Sequence, residues 1–147
     1  MPLIGMEHML VLTDDIEATR EFYCDALGLE LGERPPLEFP GHWLYLDGVP
    51  CVHVAERGVY ERHADAQGIP ASPPAEGTGA VDHLAFNGED YDALAERLER
   101  AGVDAAHNTV PGVGLRQLFC RDPNGVKIEI NVMPAEGTDP QGGSEHG

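Results

Sequence analysis

Four polar side chains stand in stretches that are otherwise apolar: His8 within residues 6–12, His53 within 49–55, His83 within 81–86 and Glu129 within 126–132. Three neutral imidazoles and a carboxylate gathered on one surface make a ligand set for a divalent transition metal. A lone histidine in an apolar strand is more often a hydrogen-bonded core or edge residue. The spacing argues against that reading here. His8 and His53 are 45 positions apart, His83 and Glu129 are 46 apart, and each pair opens and closes a similar run of sequence. His53 and Glu129 therefore occupy matching places in two halves, as do His8 and His83.

The elements that must position these residues repeat as well. Each half reads strand, acidic cap, helix, glycine stop: Asp14-Asp15 precedes a helix over 16–27 that Gly28 ends, and Glu89-Asp90 precedes a helix over 91–100 that Gly102 ends. Each half closes with a hairpin. Asp47-Gly48 joins strands over 42–46 and 49–55, and Asp122-Pro123-Asn124-Gly125 joins strands over 115–120 and 126–132. Alternation in the last strand puts Val126, Ile128 and Ile130 on one face and Lys127 and Glu129 on the other.

The fold class is therefore α+β, with paired βαβββ modules. Module one covers 5–56, a long connection 57–80, and module two 81–133, all within one domain. In the connection, 60–63 is expected to form at most one helical turn before Pro70, Pro73 and Pro74, and the segment is expected to act as a lid or a swap hinge. Residues 134–147 read as a disordered acidic tail. Neither module can bury both faces of its sheet alone, so the two must pair, within one chain or by exchange across a homodimer. Such packing would bring His8, His53, His83 and Glu129 onto one inward face.

Composition narrows the partners. With 9 Lys and Arg against 26 Asp and Glu, the formal charge is −17, which opposes nucleic acid and anionic membranes as partners. The apolar stretch at 1–12 is stopped by Thr13-Asp14-Asp15, too short to span a bilayer. A cytoplasmic protein acting on a small molecule is expected. Cys24, Cys51 and Cys120 share no metal-knuckle spacing and read as buried small hydrophobes of a reducing compartment. His42, His63, His107 and His146 fall in loops, a strand start or the tail. Gly112-Val113-Gly114 has no lysine and no following helix, so it is not a phosphate loop.

With these residues in view, the chain resembles the vicinal oxygen chelate superfamily, which includes glyoxalase I, bleomycin-resistance proteins, fosfomycin-resistance enzymes and extradiol dioxygenases. The resemblance covers roughly residues 5–133. It rests on Glu7-His8-Met9-Leu10-Val11, on Phe22-Tyr23 and Leu27-Gly28-Leu29, on residues 81–86, and on Asp122-Pro123-Asn124-Gly125-Val126-Lys127-Ile128-Glu129. It implies modules curled into a glyoxalase-like half-barrel around a metal ion: Fe, Mn, Ni or Zn. By the same resemblance His8, His83 and Glu129 match the family's two-histidine, one-carboxylate set, which leaves positions open for substrate, water or O₂.

His53 then separates the subfamilies, as a fourth ligand or as an acid/base group. Glyoxalase I has a glutamate at the corresponding point, whereas extradiol dioxygenases carry an acid/base histidine on the comparable strand. Those dioxygenases also carry a tyrosine where this chain has Phe119. The resemblance implies a metal-dependent enzyme, foremost an extradiol-dioxygenase-like oxidoreductase with His53 and Glu129 catalytic. The alternatives are a glyoxalase-type lyase or isomerase, and a binding protein of the bleomycin-resistance kind whose pocket is lined by Trp43, Tyr45 and Phe119.

Overall fold

A computed structural model of the chain describes residues 2–134. The expected acidic tail lies outside the described residues, apart from Pro134. The chain divides into two compact units, Met1–Thr78 and Gly79–Gly147.

The first unit runs β1 (Met9–Thr13), α1 (Ile16–Glu21), β2 (Glu30–Gly32), β3 (Gly41–Leu46), β4 (Val49–Glu56) and α2 (Arg57–Gln67). The second runs β5 (Leu84–Asn87), α3 (Tyr91–Arg100), β6 (Ala106–Val110), β7 (Leu115–Arg121) and β8 (Lys127–Val132). Their sheets have the same topology, β1-β4-β3-β2 and β5-β8-β7-β6. In each, the first strand lies parallel to the last and the others are antiparallel. The βαβββ repeat read from the sequence is thus the topology of both units.

Local chemistry explains the boundaries. The Asp15 carboxylate accepts from the Ala18 amide at 3.0 Å, and that of Asp90 from the Ala93 amide at 3.2 Å, so each cap satisfies an amide with no partner inside its helix. Asp47 and Gly48 both take positive φ (52° and 81°), as a hairpin turn matched to strand twist requires. In the second hairpin Asp122 Oδ1 accepts from the amides of Asn124 (2.7 Å) and Val126 (2.9 Å). The turn is therefore built before β8 begins. In β8, Ile128, Ile130 and Val132 are buried and alternate with Lys127, Glu129 and Asn131, the division that alternation predicted.

Three expectations change. The helix expected over 16–27 is α for one and a half turns only; Phe22–Ala26 then widens into a π-turn, with the Leu27 amide reaching the Phe22 carbonyl at 3.1 Å. The wide turn carries Phe22, Tyr23 and Ala26 into the core together. The connection holds an 11-residue helix, α2, rather than one turn. It packs on β4 and β1, buries Ala64, pairs Arg57 with Glu61 at 3.0 Å, and ends at Gly68 (φ 75°), before the prolines begin. Finally, the ladders start at Met9↔Val52 and Leu84↔Ile128, so His8 and His83 lie just ahead of their strands and not inside them.

Candidate functional site

In the first unit, His53 on β4 points away from the face that buries Val52 and Val54. Its ring is sandwiched. His8 stacks on one side with centroids 3.7 Å apart and planes 10° apart, and Trp43 stacks with it at 4.2 Å and 11°. The cross-strand register supplies Trp43, which lies opposite His53 on β3. His53 Nε2 donates to the Pro50 carbonyl at 3.1 Å, which leaves the electron pair on Nδ1. Burial, and then the neighbouring His8, push the His53 pKa below the usual imidazole value. His53 is therefore a neutral base with a fixed plane and a defined tautomer. His8 hydrogen-bonds Glu7 Oε1 through Nδ1 at 2.8 Å, which frees its Nε2.

In the second unit, Glu129 on β8 faces His83. Glu129 Oε1 lies 3.0 Å from His83 Nε2, and its side chain is only 14% exposed. His83 Nδ1 hydrogen-bonds Asp82 at 2.9 Å, and Asp82 pairs with Lys127 Nζ at 2.7 Å. The hydrogen bond from Lys127, and then that from His83, bring the Asp82 pKa down to about 2. The other Glu129 oxygen is engaged by the protein: Oε2 accepts from Asn131 Nδ2 at 2.8 Å and more weakly from Gln117 Nε2 at 3.4 Å.

The registers make the two halves comparable residue by residue. Leu10 lies beside His53 and Ala85 beside Glu129, so His8 corresponds to His83 and His53 to Glu129. Trp43 opposite His53 corresponds to Phe119 opposite Glu129. Gly41 opposite Ala55 stands where the second unit has Gln117 opposite Asn131.

The donor chemistry of His83 and Glu129 fits a metal ion. His83 Nε2 and Glu129 Oε1 stand 3.0 Å apart with Asp82 on the far ring nitrogen, a geometry shared by an imidazolium–carboxylate ion pair and by two ligands of one ion. Adjacent ligands of one ion, each bonded at about 2.0–2.2 Å, lie roughly 3 Å apart. A carboxylate on the far nitrogen of a ligating histidine is the usual outer support of such a site, and Glu7 and Asp82 both provide it. The structure brings together His8 with His53 in one unit and His83 with Glu129 in the other. Among the described residues, no group of three or more His, Cys, Asp or Glu side chains is gathered in metal-holding geometry.

Residues 5–130 match the sequence model of the Glyoxalase/Bleomycin resistance protein/Dioxygenase superfamily. The chain belongs to that superfamily. Among curated proteins it is 28% identical over 131 residues to "Glyoxylase I 4" of Arabidopsis thaliana, covering 87% of this chain and 70% of that protein. It is 30% identical over 129 residues to the uncharacterized protein YaeR of Escherichia coli, covering 85% and 93%. Among solved structures it superposes on lactoylglutathione lyase from Agrobacterium tumefaciens with TM-score 0.67 and 24% identity, over 89% of this chain and 95% of that one. It also superposes on TnmS3, an antibiotic binding protein from a Streptomyces species, with TM-score 0.63 and 20% identity, over 91% and 99%. These likenesses establish the glyoxalase-type fold.

Several residues of the site escape a reading of the sequence. Gln117 and Asn131 look like ordinary strand residues until register places them beside Glu129, and Trp43, expected only as a pocket wall, is set by register against the ring of His53. Glu7 and Asp82 did leave a signal, an acid directly before the first histidine of each half. His107, expected in a loop, lies in β6 and hydrogen-bonds the Tyr91 hydroxyl, and His63 lies in α2. Burial raises the thiol pKa of Cys24 and Cys51 and takes Cys120 to about 11, so none carries the marks of a reactive thiolate.

Proposed function

We propose that the protein is a metal-dependent enzyme acting on a small substrate that binds the ion through two adjacent oxygens, with His8, His83 and Glu129 as ligands and His53 as the acid/base group. The observation that supports this reading is the His83–Glu129 pair, an imidazole nitrogen and a carboxylate oxygen 3.0 Å apart with Asp82 behind the histidine. When bound, the ion supplies Lewis-acid stabilisation of negative charge on the substrate oxygens. His53 accepts a proton at Nδ1 from the substrate and returns it, because Nε2 is held by the Pro50 carbonyl and burial keeps the ring neutral. Its stacking between His8 and Trp43 fixes the ring plane during both transfers. Joining the two half-sites around one ion is part of the proposal, as is pairing into a homodimer. Exposed Leu3, Ile4 and Met6 just before β1 support a partner surface.

Two chemistries share this machinery. An acid/base histidine at position 53 favours ring-cleaving dioxygenation of a catechol-like diol, while the names of the relatives favour glyoxalase-type lyase or isomerase chemistry. Metal analysis of wild type and Glu129→Ala comes first, and equal sub-stoichiometric metal in both would refute the site. Protein loaded anaerobically with Fe(II) or Mn(II) is then given catechols with an oxygen electrode, and hemithioacetals without oxygen. Oxygen uptake with catechols supports the dioxygenase, and oxygen-independent loss of hemithioacetal supports the lyase or isomerase.

A further inference from the structure

The second unit carries a row of three amides that the proposed chemistry does not use. Asn108 on β6, Gln117 on β7 and Asn131 on β8 stand directly opposite one another across the sheet. Each donates to the next: Asn108 Nδ2 to Gln117 Oε1 at 2.7 Å, Gln117 Nε2 to Asn131 Oδ1 at 3.0 Å, and Asn131 Nδ2 to Glu129 Oε2 at 2.8 Å. Gln117 Nε2 also reaches Glu129 Oε2 at 3.4 Å. All the donors therefore run toward one carboxylate oxygen, and such a chain polarises along its length. The matching positions of the first unit, where a histidine replaces Glu129, hold Gly41 and Ala55 and can offer no side-chain donor.

We infer that Asn131 and Gln117, backed by Asn108, are positioning residues that commit Glu129 Oε2 to the protein and leave Oε1 as the single oxygen offered beside His83. A carboxylate has two equivalent oxygens and a free rotation, and either defect would blur a site that must keep adjacent positions open for substrate. The row removes both. Oε2 has its donors, so rotation of the carboxylate breaks hydrogen bonds on a side chain that is only 14% exposed. The inference rests on the reading of Glu129 as a metal ligand and assigns work to residues outside that ligand set.

The test is calorimetric titration of the metal-stripped full chain with Zn(II), alongside side-chain amide NMR spectra of the same metal-free protein. The variants are Asn131→Ala, the near-isosteric Gln117→Met, Asn108→Ala and Glu129→Ala. Wild-type Gln117 and Asn131 amide protons should stand apart from exposed amides without any metal and should move in Glu129→Ala. Asn131→Ala and Gln117→Met should each weaken Zn(II) binding by about 10–100-fold, the usual effect of losing an outer partner, with stoichiometry unchanged. Asn108→Ala should lose less, giving a gradient along the row that a merely structural role would not produce. Affinities within twofold of wild type in both variants, with Glu129→Ala crippled, would overturn the positioning role and leave the metal reading intact. Absence of Zn(II) binding by wild type would bring down the metal reading itself, and this role with it.

Discussion

The two units share one topology and one register, yet they surround their key residue in opposite ways. In the first unit His53 is held by ring faces, His8 on one side and Trp43 on the other, with one backbone carbonyl on its edge. In the second, Glu129 is held by hydrogen bonds, from Asn131 and Gln117 on one oxygen, with His83 at the other. The difference follows the charge states. Aromatic walls desolvate a group and favour its neutral form, as the proposed acid/base role of His53 requires, whereas a carboxylate in that environment would lose its charge. Amide donors instead hold one carboxylate oxygen in place, as the proposed ligand role of Glu129 requires. The repeat thus supplies one scaffold with two electrostatic fillings.

The largest effect that could break this comparison is functional. His53→Gln should retain metal and lose about 10²–10⁴ in turnover, the range for removing a general acid/base. Glu129→Ala should lose the metal itself, by emission spectrometry of purified protein. Metal loss in His53→Gln instead would make His53 a fourth ligand and erase the contrast. Next comes stability. Leu44 and Leu118 are fully buried under their respective sheets, and truncating either to alanine should cost about 2–5 kcal/mol, read from urea unfolding.

Smaller effects sharpen the electrostatics. Lys127→Met should raise the Asp82 pKa from about 2 toward the ordinary carboxylate value, read by carboxyl NMR titration. A depressed carboxylate contributes stability above its unfolded pKa and loses it as pH falls through the folded value, so this contribution should fade only in strong acid. The smallest signal is optical. Trp43 is the single tryptophan and stacks on His53, so its fluorescence should titrate with the imidazole. Because the His53 pKa is lowered, the midpoint should fall below 6.5 and vanish in His53→Gln. The stability supplied by neutral His53 should be present above pH 6.5 and decline as pH falls through that midpoint.

Most of the scaffold was legible because its causes are local. Asp-capped helices, Asp47-Gly48, the Asp122 turn and the alternation in β8 are each written in a few adjacent residues. The repeat followed from spacing alone, and it placed His8 against His83 and His53 against Glu129 before any register was known. What escaped depends on distant partners. Helix α2 is weakly amphipathic and is held by packing on β4 and β1, and the π-turn at Phe22–Ala26 serves a core no local pattern describes. The amide row was invisible for the same reason. Asn108, Gln117 and Asn131 are isolated polar residues until strand pairing sets them in line.

Gly41 carries a consequence for how such a protein can diverge. A Cβ there would overlap the Val54 carbonyl oxygen, because the backbones of β3 and β4 approach too closely for any side chain. With this backbone a glutamine cannot be accommodated at this point of the first unit, even if His53 became a glutamate. The inheritable difference between the halves lies in the main chain, and reverting it demands that two strands move apart first.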